Sequence, residues 1–326
     1  MYIGTMKKVG IVSVLSVVML VLVGFFTSME VQADESDEPV IDEKWGKPVY
    51  VYGSEITEEE AKKLAEDNGY DFDSLDVYVV DGKDLVNYLG EGNEDSSMYS
   101  SVIIERKDSG YGIEVEIPEE DKITKIGESQ YENAMTTSGV TDAKVSIVSP
   151  VAVTGESALT GIFKAYDEKG EELDKDRMEL GQDELDITNE INEETGDDEE
   201  SDQEDINSAL VDIKQSLSEM EEGATKEDVE EVVNKVLDER GLDNKISEET
   251  KERLVEFADK YRNSSAIDSE EVKEQLEDLS KKAADKAKEV KEHLDDIGFW
   301  EKLGQFLKDI LSAIGEFFSS LTSKDK

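Results

Sequence analysis

Cysteine is absent from the 326 residues, and histidine occurs once, at His293. The first absence excludes a disulfide scaffold, so the fold has to be held by apolar burial. Together the two leave zinc without its usual ligands. Positive charge is also scarce: 35 Lys and Arg stand against 83 Asp and Glu, for a formal net charge of −48. An acid excess of that size repels phosphate backbones and anionic lipid headgroups. It argues against nucleic acid as a partner and against simple electrostatic attachment to a membrane. Cations and basic polymers are the partners it admits, and the same acidity would solvate a chain that lives in a salty or alkaline exterior.

The long apolar run that is present lies at the start. Lys7 and Lys8 precede Val9 to Phe26, and Val31-Gln32-Ala33 precedes an acidic stretch that begins at Asp34. A basic segment, an apolar segment and a small-residue cleavage site make residues 1–33 a signal peptide. The run also approaches the roughly 20 apolar residues that span a bilayer, so a retained N-terminal membrane anchor is the alternative. In either case the two lysines stay inside and the rest crosses, which makes the protein secreted or associated with the cell envelope. Loss of residues 1–33 removes Lys7, Lys8 and Glu30 and leaves −49.

The remaining length suits two domains of ordinary size. Residues 34–44 are a charged leader without periodicity, read as disordered, and order is expected from Trp45 to Val49 onward. Val49–Tyr52 and Val77–Val80 have the β-branched and aromatic content of strands. Thr57, with Glu60 three residues on, starts a helix that Gly69 ends, and Asp84–Leu89 is a second helix stopped by Gly90. Ser100–Lys107 and Gly112–Ile117 alternate around Asp108-Ser109-Gly110 and predict a hairpin. A helix over 129–138, a strand over 143–149 and a helix over 157–167 follow. The expected fold is α+β, a mixed α/β domain over residues 45–189.

In residues 190–205 ten of sixteen side chains are Asp or Glu and none is basic, the composition of an acidic disordered linker. Beyond it the chain reads as helical, a bundle or coiled coil over 206–296. Ile206, Leu210, Ile213, Leu217 and Met220 form one seam. Thr225 and Ser247 are helix caps, as is Ser269 before Val272, Leu276 and Leu279.

A separate amphipathic helix is expected over 297–321, ahead of a short tail at 322–326. Its stripe of Trp300, Leu303, Phe306, Leu307, Ile310, Ile314, Phe317 and Leu321 is too wide and too apolar to be left in water. Three covers stay open: the weaker stripes of residues 206–294, a membrane surface, or a second copy of the chain.

The run from Thr137-Ser138-Gly139-Val140-Thr141-Asp142 through Ser149-Pro150-Val151-Ala152-Val153-Thr154-Gly155-Glu156-Ser157-Ala158-Leu159-Thr160-Gly161 resembles the YpuA-like family. Tyr88-Leu89-Gly90, Ser100-Ser101 and Gln130-Tyr131 fall in the family's order. The resemblance covers about residues 49–170 and implies an exported protein of Gram-positive bacteria with no established reaction. It carries no functional residue across. Past Asp176 the sequence departs from the pattern.

Reading the residues for chemistry yields no catalytic group. Ser157 lacks the second glycine of a nucleophile elbow, and its triad partner would have to be the distant His293. The turn Thr154-Gly155-Glu156-Ser157 is better read as a helix cap, with the Ser157 hydroxyl on the first free amides, or as a small-molecule or peptide contact. Glu156 argues against phosphate there. Asp71-Phe72-Asp73-Ser74-Leu75-Asp76 begins like a calcium loop but lacks the glycine at its sixth position and the closing glutamate. No cofactor and no dedicated metal site is expected, and the ligand is not specified.

The functional expectation is a non-catalytic binding or structural protein of the cell exterior. The alternatives are a hydrolase of cell-envelope material and an extracellular cation-binding protein. Cleavage after Ala33 predicts a mature chain beginning Asp34-Glu35-Ser36. N-terminal sequencing of the protein recovered outside the cell checks this, and an intact Met1 end in the membrane fraction would mean an anchor instead.

Overall fold

The computed structural model describes residues 44–90, 92–195, 200–220 and 223–292, except for side chains at 200–204 and 284–292. The expected signal peptide at 1–33, nearly all of the 34–44 leader, His293, the helix expected at 297–321 and the tail lie outside the described residues.

Five strands, β1 (Val49–Gly53), β2 (Asp76–Val80), β3 (Ser101–Arg106), β4 (Ile113–Glu116) and β5 (Ala143–Val148), form one mixed sheet in the order β2-β1-β3-β5-β4. The fold is α+β, as expected. β1 alternates between two cores, as a strand buried on both faces must. Val49 and Val51 join Val102, Ile104, Val145 and Ile147 on one face. Tyr50 and Tyr52 join Ile103 on the other.

The hairpin expected around Asp108-Ser109-Gly110 does not form. β5 lies between β3 and β4, antiparallel to the first and parallel to the second. Tyr111 N–H closes a local turn on Asp108 O at 3.2 Å, and other loop amides are taken by Asp142, the residue before β5. Lys107 N–H donates to Asp142 O at 2.7 Å, and Gly110 N–H donates to Asp142 Oδ1 at 2.9 Å. Asp142 is held at φ +45°, a left-handed setting that Asp tolerates better than most residues. β5 is buried along almost its whole length, whereas β4 alternates buried and half-exposed, which suits a central strand and an edge respectively.

Helix α1 (Glu58–Asp67) covers the Tyr50 face. Its start is the expected box, with Glu60 N–H on Thr57 Oγ1 and Thr57 N–H on the Glu60 carboxylate. α2 (Gly82–Leu89), α3 (Glu128–Ser138) and α4 (Ala158–Glu168) supply the core on the other face. α2 starts earlier than expected because Asp81 is its cap.

A helix that the sequence reading did not assign, α5 (Lys175–Thr195), runs against α3. The approach is close because Gly181 has no side chain: a Cβ there would fall 2.7 Å from Ala134 O and closer still to Ser138 Oγ. α5 is apolar on two sides. Met178 and Leu185 belong to the sheet's core. Leu180, Ile187 and Ile191 belong to a second core with α6 (Glu200–Ser218), α7 (Lys226–Glu239) and α8 (Glu248–Arg262). Of the stretch expected as a linker, residues 190–195 are therefore the end of α5 and 200–205 the start of α6, while 196–199 lie outside the described residues. The reason is local: Ile191 continues a buried stripe that the acidic average of the block hides.

α6 to α8 follow the expected seams, and Thr225 and Ser247 cap as expected. α9 (Glu270–Glu292) is attached more lightly, through Val272, Leu276 and Leu279 on Val211. Among the described residues no helix is long and apolar enough to cross a membrane. At the other end of the chain Arg106, nearly fully buried, lies 5.0 Å from the ring centre of Tyr166 and 5.7 Å from that of Trp45. Trp45 Nε1–H and Arg106 both bind the Glu171 carboxylate, at 2.6 and 3.2 Å, which ties the start of the described chain to the loop after α4.

Burial pushes the phenols of Tyr50, Tyr70, Tyr88, Tyr131, Tyr166 and Tyr261 above their ordinary value. A group raised on folding contributes stability that is complete below its unfolded pKa of about 10 and is lost as pH climbs toward the folded value. Alkali should therefore unfold the protein cooperatively, with phenolate absorbance and loss of circular dichroism at the same pH. Phenolate absorbance amounting to all eleven tyrosines near pH 10 over an intact fold would contradict this.

Candidate functional site

Three places hold polar chemistry. The first is the turn that the sequence singled out. Gly155 is at φ +102°, its carbonyl accepts from Tyr131 Oη at 2.7 Å, and a Cβ on it would stand 2.5 Å from that oxygen. Only glycine fits. Thr124 N–H to Val153 O (2.9 Å) and Lys125 N–H to Thr154 O (3.3 Å) tie the loop down.

Ser157 does not cap α4. Its backbone is helical, with φ −79° and ψ −4°, whereas a capping hydroxyl reaches the helix amides from an extended backbone. Its Oγ meets Ser100 Oγ at 3.3 Å instead. Thr154 Oγ1 donates to Glu156 Oε2 at 3.3 Å. The four residues are brought together, with Gly155 and Ser157 bonded to Tyr131 and Ser100 of the fold and Thr154 bonded to Glu156 at the surface. The acids expected to begin a calcium-like loop are also engaged. Asp71 caps the short turn Phe72–Ser74, and Asp76 pairs with Lys169 at 2.5 Å.

The second place was not foreseen. Lys214 on α6 and Glu184 on α5 are 0 % and 1 % exposed, with Lys214 Nζ 2.7 Å from Glu184 Oε1. The ammonium also reaches Asn133 O and Thr137 Oγ1, each at 3.4 Å. Thr137 Oγ1 donates to Glu184 Oε2 at 2.5 Å. Arg177 then binds the free carbonyls at the end of α3, with Nε on Thr137 O at 2.9 Å. Burial pushes the Lys214 ammonium below its ordinary value, and Glu184 opposes the shift. A second pair closes α6 on Arg240, which sets Nε and Nη2 on Asp212 Oδ2 at 3.0 and 2.5 Å. Burial raises the Asp212 carboxyl and Arg240 counters it. Sequence inspection offered a signal for Lys214: it shares a helix face with Leu210, Val211 and Leu217.

The third place is open. A groove of about 230 Å³ lies between the start of β4 (Tyr111, Ile113), Thr136 of α3, and Gln275, Asp278 and Leu279 of α9. Lys282 stands at its edge, with Nζ on Ile113 O at 2.5 Å and on Glu132 Oε1 at 2.9 Å. Thr136 Oγ1 donates to Gln275 Oε1 at 3.1 Å. Tyr111 is 45 % exposed and donates to Glu114 Oε2 at 2.5 Å. Partial burial and that carboxylate push its phenol up to about 12. No sequence motif could mark this groove, because its α9 wall is more than 130 residues along the chain from the other two. Among the described residues no group of three or more His, Asp or Glu is placed to hold a metal ion.

Set beside known proteins, the chain matches the family model described as "Protein of unknown function (DUF1002)" over residues 52–279, and it belongs to that family. It is similar to the "Uncharacterized protein YpuA" of Bacillus subtilis (strain 168), 26% identical over 280 residues that cover 84% of this chain and 90% of the relative. No solved structure matches. The resemblance expected over about 49–170 thus extends through the acidic block and the helices beyond it, which corrects the departure expected past Asp176.

Breaking the buried pair leaves an uncompensated charge. Lys214→Met alone, or Glu184→Leu alone, should destabilise the protein by about 3–5 kcal/mol. The double change should recover most of that loss, because an apolar pair of similar volume replaces the ion pair without a stranded charge. Denaturant melts of the three variants check it, and additive losses would show that the two residues act independently.

Proposed function

We propose that the chain is a non-catalytic binding or structural protein of the cell exterior, and that the groove between β4 and α9 is where it engages a ligand. The observation that carries this reading is a division of labour between the polar groups. The strongly buried charges, Glu184 with Lys214 and Arg106 on the half-exposed Glu171, are closed on partners inside helix and loop interfaces. The groove is open and offers what binding needs: an exposed ring, apolar walls at Ile113 and Leu279, and polar ends at Gln275 and Asp278. The export signal of residues 1–33 and the charge of −48 support an exterior location.

The test is co-sedimentation of the full chain with purified insoluble envelope material, alongside Tyr111→Ala and Asp278→Ala, both at exposed positions of the groove. The wild type should be retained and should release no soluble product. The variants should melt as the wild type does and be retained roughly tenfold more weakly, the loss of one good contact. Equal retention of all three would remove the groove from consideration. Release of soluble fragments would instead favour the hydrolase reading.

A further inference from the structure

The two edges of the sheet are treated in opposite ways. Ala143 N–H donates to Gly112 O, so the alternate residues Ile113, Val115 and Ile117 turn their backbone groups outward from β4. That edge is blocked by side chains. Lys282 donates to Ile113 O, and Ile117 N–H donates to Glu128 Oε1 at 3.0 Å. At the other edge Asp76 N–H donates to Pro48 O and Ser54 N–H to Val80 O, so residues 76, 78 and 80 face β1. The N–H and C=O of Val77 and Val79 therefore point out of the sheet, and among the described residues nothing bonds to them.

Val77-Tyr78-Val79-Val80 carries no charge, no proline and no bulge, the devices by which exposed edges are normally guarded. Val79 is 42 % exposed, in a chain whose described surface shows few large apolar side chains.

We propose that β2 is a strand-addition site for an extended, cationic segment of another polypeptide, one that alternates apolar and basic residues. Period two sets the alternation. On one face the added strand lies beside Val77, which packs on the Tyr50 core, and the exposed Val79, and both call for apolar neighbours. On the other face it lies beside Tyr78 and the half-exposed Asp76. Charge selects the sign. Asp71 and Asp73 lead into the strand and Asp81 leaves it, while of the nearby cations Lys169 is closed on Asp76 and Lys47 reaches Asp73 O. The whole chain stands at −48. A second copy bringing equal charge to this edge is disfavoured, and a basic strand is drawn to it.

The experiment titrates the full chain into a fluorescent peptide of alternating valine and lysine and follows anisotropy together with amide exchange at Val77 and Val79. Two further peptides are used, one alternating valine and glutamate and one Val/Lys peptide N-methylated at alternate backbone nitrogens. Val79→Pro removes an outward N–H that no ladder bond uses. Val79→Lys installs a guard residue and serves if the proline variant does not fold.

Binding of the Val/Lys peptide alone, slowed exchange at both valines, and a roughly tenfold weaker complex with either variant are expected. Equal binding of the N-methylated peptide, or unchanged exchange at the valines, would mean general attraction to an acidic surface and would overturn the proposal. So would a wild-type dimer in sedimentation that Val79→Lys dissociates, since the occupant would then be a second copy.

Discussion

Glu184 and Lys214 meet where neither can be solvated, and much of the architecture is arranged to make that tolerable. The ammonium has three acceptors, drawn from two helices. The carboxylate has the ammonium and Thr137 Oγ1. The contacts exist only if α3, α5 and α6 hold one register, because a shift of one residue in α5 would swing Glu184 away from both partners. Such a pair adds little net stability, since desolvation opposes the attraction. Its effect is to penalise every other packing of the three helices. Gly181, by letting α5 sit against Ala134 and Ser138, is what brings the charges within reach.

From that junction the two halves of the molecule follow. One side of α5 completes the core under the sheet and the other completes the core of the helical region. A chain whose first half is sheet-based and whose second half is helical thereby shares a helix between its two cores, and the described residues lie in one compact unit. α9, added outside both cores, forms one wall of the groove and supplies the lysine that blocks the β4 edge. Guarding that edge and walling the groove are two results of the same packing event. Among the described residues no such helix closes the β2 edge.

Much of the local structure was legible. Thr57 with Glu60 and Thr225 with Asp228 place polar side chains at the spacing that satisfies free helix amides, and a cap depends only on its own few residues. The strands at Val49, Val77 and Ala143 and the stripe from Ile206 to Leu217 were legible for the same reason. The turn at Gly155 was legible as a turn. Its role as a perch for the Tyr131 hydroxyl was not, because Tyr131 comes from another helix. Helix α5 was missed because its two apolar faces split the periodicity that marks a one-sided helix, and its acidic end resembled a linker.

By itself the sequence determined composition, charge, the caps at Thr57, Thr225 and Ser247 and the strand and helix periods, all of which are properties of neighbouring residues. Tertiary structure alone decided that β5 separates β3 from β4, that Asp142 satisfies amides of the intervening loop, and that Glu184 finds Lys214. It also decided which sheet edge is closed and which is open. Each of these outcomes turns on groups distant in the chain competing for the same hydrogen bonds and the same buried volume, and no local pattern records who wins.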